Sequence, residues 1–114
     1  MAMSIKVSDL LKHNFTLIAG EGGLNKDVDD VYICDLLSWV MAKAKQKSAW
    51  ITIQSHVNIV AVALMADLSC IIIAEGVEAE KETIDHANEE GLPVLNYAGS
   101  SYEAAIELYH LLTT

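Results

Sequence analysis

Residues 49–97 read AWITIQSHVNIVAVALMADLSCIIIAEGVEAEKETIDHANEEGLPVLNY, and this stretch decides the fold. Trp50-Ile51-Thr52-Ile53 and Cys70-Ile71-Ile72-Ile73 are continuous apolar runs, the pattern of strands buried on both faces. Ala49–Ile53 therefore reads as a strand followed by a helix over Ser55–Ala66, and Cys70–Ala74 as a strand followed by a helix over Glu80–Glu90. The same alternation continues with a strand over Pro93–Tyr97 and a helix over Ser101–Leu112. Three β-then-α units with short connections predict a three-layer α/β/α fold with a mainly parallel sheet, filling residues 1–114 as one domain. Gly91-Leu92-Pro93 is a helix-stop glycine followed by a strand-opening proline.

Upstream of this stretch, Val7–Lys12 predicts a short helix and Phe15–Ala19 a short strand. Gly20-Glu21-Gly22-Gly23 is a turn, and Asp29–Cys34 is a second strand that could pair with the first as its neighbour. Asp35 is positioned to cap a helix over Leu36–Ala44, which Lys43, Lys45 and Lys47 finish in accord with the helix dipole.

The composition narrows the partners. Seven lysines and sixteen acids give a net charge of −9, with no arginine anywhere. Phosphate backbones need a basic face and bidentate recognition needs guanidinium, so neither nucleic acid nor an anionic membrane is expected as a partner. Cys34 and Cys70 sit in apolar stretches without metal-ligand spacing and read as buried free thiols of a cytoplasmic protein. Met1–Lys6 has no apolar leader core, and no apolar run approaches the roughly 20 residues that span a bilayer.

Val57–Ala66 carries almost no polar residue on any face, whereas a surface helix of a small monomer shows a polar stripe. A partner subunit covering its second face, in a two-fold homodimer, is the expected solution, with a helix simply buried within the fold as the alternative.

In a parallel sheet, ligands bind beyond the strand C-termini, where helix N-termini offer free amides. Gln54, Ser55, His56 and Asn58, then Glu75 and Gly76, then Ser100 and Ser101 occupy that edge and are the expected ligand-binding residues for a small polar or anionic molecule. Ser55 and Ser100 or Ser101 also fit as N-caps. The four histidines fall in separate elements without paired spacing, so no metal or other cofactor is implied. Neither a nucleophile elbow nor a phosphate-binding glycine motif is present, and no catalytic residues are expected. The acids from Glu75 to Glu90 form a solvated face or a dock for a basic partner.

The whole pattern resembles the DRTGG domain family and is similar to the N-terminal domain of HPr kinase/phosphorylase. The residues that carry the resemblance are Val7-Ser8-Asp9-Leu10-Leu11, Leu17–Leu24, Trp50–Ile53, Cys70–Gly76, Ala87–Leu95 and Ser101–Ala105. The resemblance implies a three-layer α/β module, often dimeric, with a regulatory or ligand-binding role. Where that family carries an Asp-Arg turn after the third strand, this chain has Gln54-Ser55-His56. Stand-alone members are similar to proteins encoded beside signalling kinases and iron–sulfur enzymes, which implies a signalling or redox partner protein. The expectation is thus a non-catalytic regulatory or ligand-sensing module. A structural adaptor without ligand and a small hydrolase or transferase are the competing readings.

Overall fold

A computed structural model describes residues 4–113. Met1–Met3, read above as part of a start without a leader core, and Thr114 lie outside the described residues. In chain order the elements are β1 (Ile5–Lys6), α1 (Val7–Leu10), β2 (Phe15–Ala19), a 3-10 turn (Glu21–Gly23), β3 (Asp27–Val28), β4 (Asp30–Ile33), α2 (Leu37–Lys43), β5 (Ser48–Thr52), α3 (Asn58–Met65), β6 (Cys70–Ile73), α4 (Lys81–Glu90), β7 (Val94–Tyr97) and α5 (Ser101–Thr113). Five strands form one sheet in the order β2-β7-β6-β5-β4, and β1 and β3 make a small antiparallel ribbon. β4, β5, β6 and β7 run parallel, and β2 lies antiparallel to β7.

Every residue of β5 and β6 is buried, as continuous apolar runs require. Ala49, Ile51, Cys70 and Ile72 point to the face covered by α1 and α5, whereas Trp50, Ile71 and Ile73 point to the face covered by α2, α3 and α4. Each such aliphatic side chain taken out of water contributes about 1.5–3 kcal/mol. Buried Trp50 keeps its indole N–H satisfied by donating to the Cys34 carbonyl at 2.8 Å. Because β4 to β7 are neighbours in sequence order, three successive right-handed crossovers place α2, α3 and α4 on one face.

That layering explains the all-apolar helix without a partner. α3 lies between α2 and α4 with the sheet beneath it, and Ile59, Val60, Val62 and Ala63 are all buried within the chain. Only Ala61, Leu64 and Met65 of its apolar residues face out, so this helix does not call for a second subunit.

Three local expectations change. Phe15–Ala19 and Asp29–Cys34 do not pair: they form the two opposite edges of the sheet, because β7, β6 and β5 insert between them. Asp35 does not cap α2; its carboxylate is held by the Thr52 hydroxyl and the Ile53 N–H, and Leu36 occupies the N-cap without a side-chain bond. Ser55 does not cap α3, which starts at Asn58. Gly91 does close α4, at φ 65° in the left-handed region that favours glycine.

Candidate functional site

The C-terminal edge of the parallel strands carries four loops, and hydrogen bonds stitch each to its neighbour. After β4, Asp35 Oδ1 accepts from Thr52 Oγ1 at 2.7 Å and from Ile53 N at 3.0 Å, while Gln54 Nε2 donates to the Asp35 carbonyl at 3.0 Å. Gln54 therefore ties two loops together instead of projecting a free amide. After β5, the Ser55 carbonyl accepts from Glu80 N at 3.2 Å and from buried Thr83 Oγ1 at 2.7 Å, fixing the start of α4. Exposed His56 accepts the Asn58 N–H on its Nδ1 at 3.2 Å, at the first residue of α3. His56 and Ser55 share no hydrogen bond that would link a nucleophile to a base.

After β6 the chain turns through Glu75 and Gly76, both left-handed at φ 62° and 66°. Glu75 N donates to the Gly99 carbonyl at 2.8 Å and Gly76 N to the Tyr97 carbonyl at 3.0 Å, joining this turn to the loop after β7. Asn96, on β7, adds a bond from Nδ2 to the Val77 carbonyl at 2.8 Å. A non-glycine residue at positive φ costs on the order of 1 kcal/mol or more, and these backbone bonds hold Glu75 there.

Here lies the topological switch of the sheet: β6 continues into α4 on one face, and β7 into α5 on the other. Glu75, Gly76, Ser100 and Ser101 meet at that point. Gln54, Ser55, His56 and Asn58 stand away from it, since β5 is two strand spacings, about 10 Å, from β7. The N-termini of α3 and α5 lie on opposite faces of the sheet. The α5 terminus is also already occupied. Ser100 N donates to Glu103 Oε1 at 3.0 Å and Glu103 N donates to Ser100 Oγ at 3.1 Å, a reciprocal capping box with its own carboxylate.

Two buried titratable groups, Tyr97 at the C-terminal end of β7 and Cys70 at the opposite end of β6, are held away from their ordinary values. Burial, together with the hydrogen bond to Glu107 and the charges of Glu107 and Glu103, pushes the Tyr97 phenol up to about 12. Burial also pushes the Cys70 thiol up to about 12, which leaves it unreactive at neutral pH. Cys34 and Cys70 are both free thiols. Among the described residues no group of three or more His, Cys, Asp or Glu side chains is arranged to hold a metal, and no helix is long and apolar enough to cross a membrane.

Two cavities lie elsewhere. One, of about 250 Å³, sits at the far end of the sheet, where Lys26 and Lys47 are balanced by Asp27 and Asp67. The larger, an open groove of about 520 Å³, runs between β4 and α5, with Val31 and Ile33 on one wall and Tyr102, Ile106, Tyr109 and Leu112 on the other. The uncovered part of the helix wall, Tyr102, Ile106 and Tyr109, is legible in the sequence as spacings of four and three residues, a second apolar stripe beside the buried one of Ala104, Leu108 and Leu112.

No curated protein matches the chain. The DRTGG domain matches residues 13–111, from the turn before β2 to the end of α5. A match over nearly the whole 114-residue chain, on a mixed α/β fold of three layers, means that this protein belongs to the DRTGG domain family, a family of regulatory domains.

Proposed function

We propose that this protein is a non-catalytic regulatory module of the cytoplasm that works through protein contacts, as a homodimer that engages a signalling or redox partner. One observation carries the reading. Asp35, Gln54, Thr83, Ser100 and Glu103 at the strand C-terminal edge are engaged in holding its loops and helix starts together, whereas apolar side chains beside β4 are left uncovered. Exposed apolar patches of this kind mark interaction surfaces. The inert Cys70 thiol, the unlinked Ser55 and His56 and the neutral Tyr97 phenol support the non-catalytic part.

The test mixes the purified chain with the products of its neighbouring genes and follows complex formation by size-exclusion chromatography. A stable complex with one of them is expected, together with background rates in hydrolase, kinase and phosphotransferase assays. Turnover that survives repurification and disappears in His56→Ala, or the absence of any complex, would end this reading.

A second reading, ligand sensing, is favoured by the left-handed Glu75-Gly76 pair at the switch point. There a small polar or anionic ligand would be held by Glu75, Gly76, Ser100 and Ser101, and would have to open the two backbone bonds and displace Glu103 from the cap. Gln54, Ser55, His56 and Asn58 would form an outer rim one strand further away. A ligand at a hundred times its dissociation constant raises stability by about 2.7 kcal/mol, so a metabolite screen by thermal melting reads it directly. Loss of the shift in Ser101→Ala would place the ligand here, and a screen in which nothing moves the wild type sinks the ligand reading.

A further inference from the structure

Resting on the protein-contact reading, we infer that the groove between β4 and α5 is filled by a second copy of this chain, with the two β4 strands pairing antiparallel across a two-fold axis. β4 is the outermost strand on its side, bonded to β5 along one edge only. Its free backbone edge is a template for another strand. A strand alone is not what the surface asks for, because all three layers contribute apolar side chains around it. Tyr102, Ile106 and Tyr109 come from α5, Ile33 from β4 itself, and Leu36 and Trp39 from the start of α2.

These six residues are between 39% and 74% exposed. At about 200 Å² for a fully exposed side chain of this size, they offer on the order of 700 Å², close to the ~800 Å² that each partner contributes to a stable interface. An extended peptide lying along four strand residues would cover the groove and leave Leu36 and Trp39 in water. A globular partner is needed, and a two-fold copy supplies the same three elements in return.

Charge points the same way. Each copy carries −9, so two copies repel except where charge is missing, and none of the six residues is charged. Asp29 and Asp30 line one end of the groove, beside the start of β4. Antiparallel pairing sets Asp30 against the partner's Ile33, so the two Asp30 side chains lie at opposite ends of the paired strands. The product is one continuous sheet of ten strands, with both α5 helices packed side by side across the axis.

The test is sedimentation equilibrium of the full chain at micromolar concentration, expected at twice the 12.4 kDa chain mass. Ile33→Lys and Tyr109→Lys should each sediment as monomers with an unchanged circular-dichroism spectrum, while Met65→Lys, at the exposed end of α3, remains dimeric. Hydrogen exchange of wild type guards against variants that merely unfold: amides of residues 30–33 should slow roughly tenfold or more between dilute and concentrated protein, and those of β2 should not. A wild type that stays monomeric, a dimer that survives both lysines, or a dimer lost in Met65→Lys overturns the inference. A monomer that still binds a neighbouring gene product would leave the protein-contact reading standing and give the groove to that partner.

Discussion

The two edges of the sheet are built from similar apolar strands and are treated in opposite ways. β2 runs antiparallel to β7, and its register shifts between Leu17 and Ala19, leaving Ile18 unpaired in a bulge. It ends in Gly20, whose N–H donates to Asn88 Oδ1 at 2.8 Å and anchors the edge to α4. The 3-10 turn that follows packs Gly23 against Gly91 and Pro93. Bulge, anchor and turn are the devices by which natural sheets close an edge. β4 has none of them: its pairing with β5 is in regular register, and Ile33 stands 50% exposed beside an open groove. α5 repeats the asymmetry. Glu107, on its inner flank, accepts hydrogen bonds from Asn14 before β2 and from Tyr97, while Tyr102, Ile106 and Tyr109 line the groove at β4. One side of the molecule is finished within the chain, and the other is prepared for contact.

The largest effect should come from breaking the finished edge. Gly20 sits at φ 80°, and a methyl group added there would lie 1.9 Å from the Leu92 carbonyl oxygen, which is backbone and cannot step aside. Gly20→Ala is expected to lower the unfolding free energy by about 3 kcal/mol or more in urea titrations. Gly76→Ala provides the contrast, since φ there is 66° but nothing lies within 4 Å of the added methyl, so the loss should be about 1 kcal/mol. Equal losses in the two variants would mean that backbone conformation, and not the close approach of Gly20 to Leu92, holds this edge.

The same contrast separates what could be read in the sequence from what could not. Trp50–Ile53 and Cys70–Ile73 announced central strands because burial on both faces leaves no polar alternation, and Gly91-Leu92-Pro93 marked a helix end through local backbone chemistry. Pairing between Phe15–Ala19 and Asp29–Cys34 was the natural local guess, yet nothing local says that three later strands insert between them. Asp35 has the right chemistry for a helix cap, but the Thr52 hydroxyl and the Ile53 amide lie near enough in space to bind it first, and Ser55 is left outside α3, which starts only at Asn58. The uncovered face was misplaced for a related reason. Composition showed that α3 is apolar all round, and only the layer order shows that α2 and α4 cover it while α5 keeps a bare stripe.

An intermediate effect is expected at Glu107, the residue that leans α5 toward the closed edge. Burial alone would raise its carboxyl, but hydrogen bonds from Tyr97 and Asn14, and the nearby His13, more than offset this and hold it below the ordinary value. A carboxyl with a depressed folded-state value stabilises the fold above its unfolded pKa and loses that contribution as pH falls through the folded one. Wild type should therefore weaken on acidification from about pH 5 toward about pH 3. Glu107→Gln should lose about 1 kcal/mol at neutral pH and show a shallower acid limb in urea titrations run across that range. An acid limb as steep as in wild type would mean that other carboxylates set it.

The smallest effect should come from a lysine placed on the closed edge. Thr16 is exposed on β2, opposite Asn96 in register, at the outer strand on the far side of the sheet from Ile33. Natural sheets carry lysine on such strands, so Thr16→Lys should change stability by no more than about 0.5 kcal/mol. It should also leave the sedimenting mass of the wild type unchanged, whereas the same residue introduced at position 33 is expected to split the dimer. The comparison matters because two edges allow two kinds of assembly. Pairing of β4 with β4 closes on itself after two copies, while pairing of β4 with the β2 of another molecule leaves free edges at both ends and grows without limit. If Thr16→Lys lowers the mass as Ile33→Lys does, then the bulge and the Gly20 anchor do not close the β2 edge, and association runs from one side of the sheet to the other.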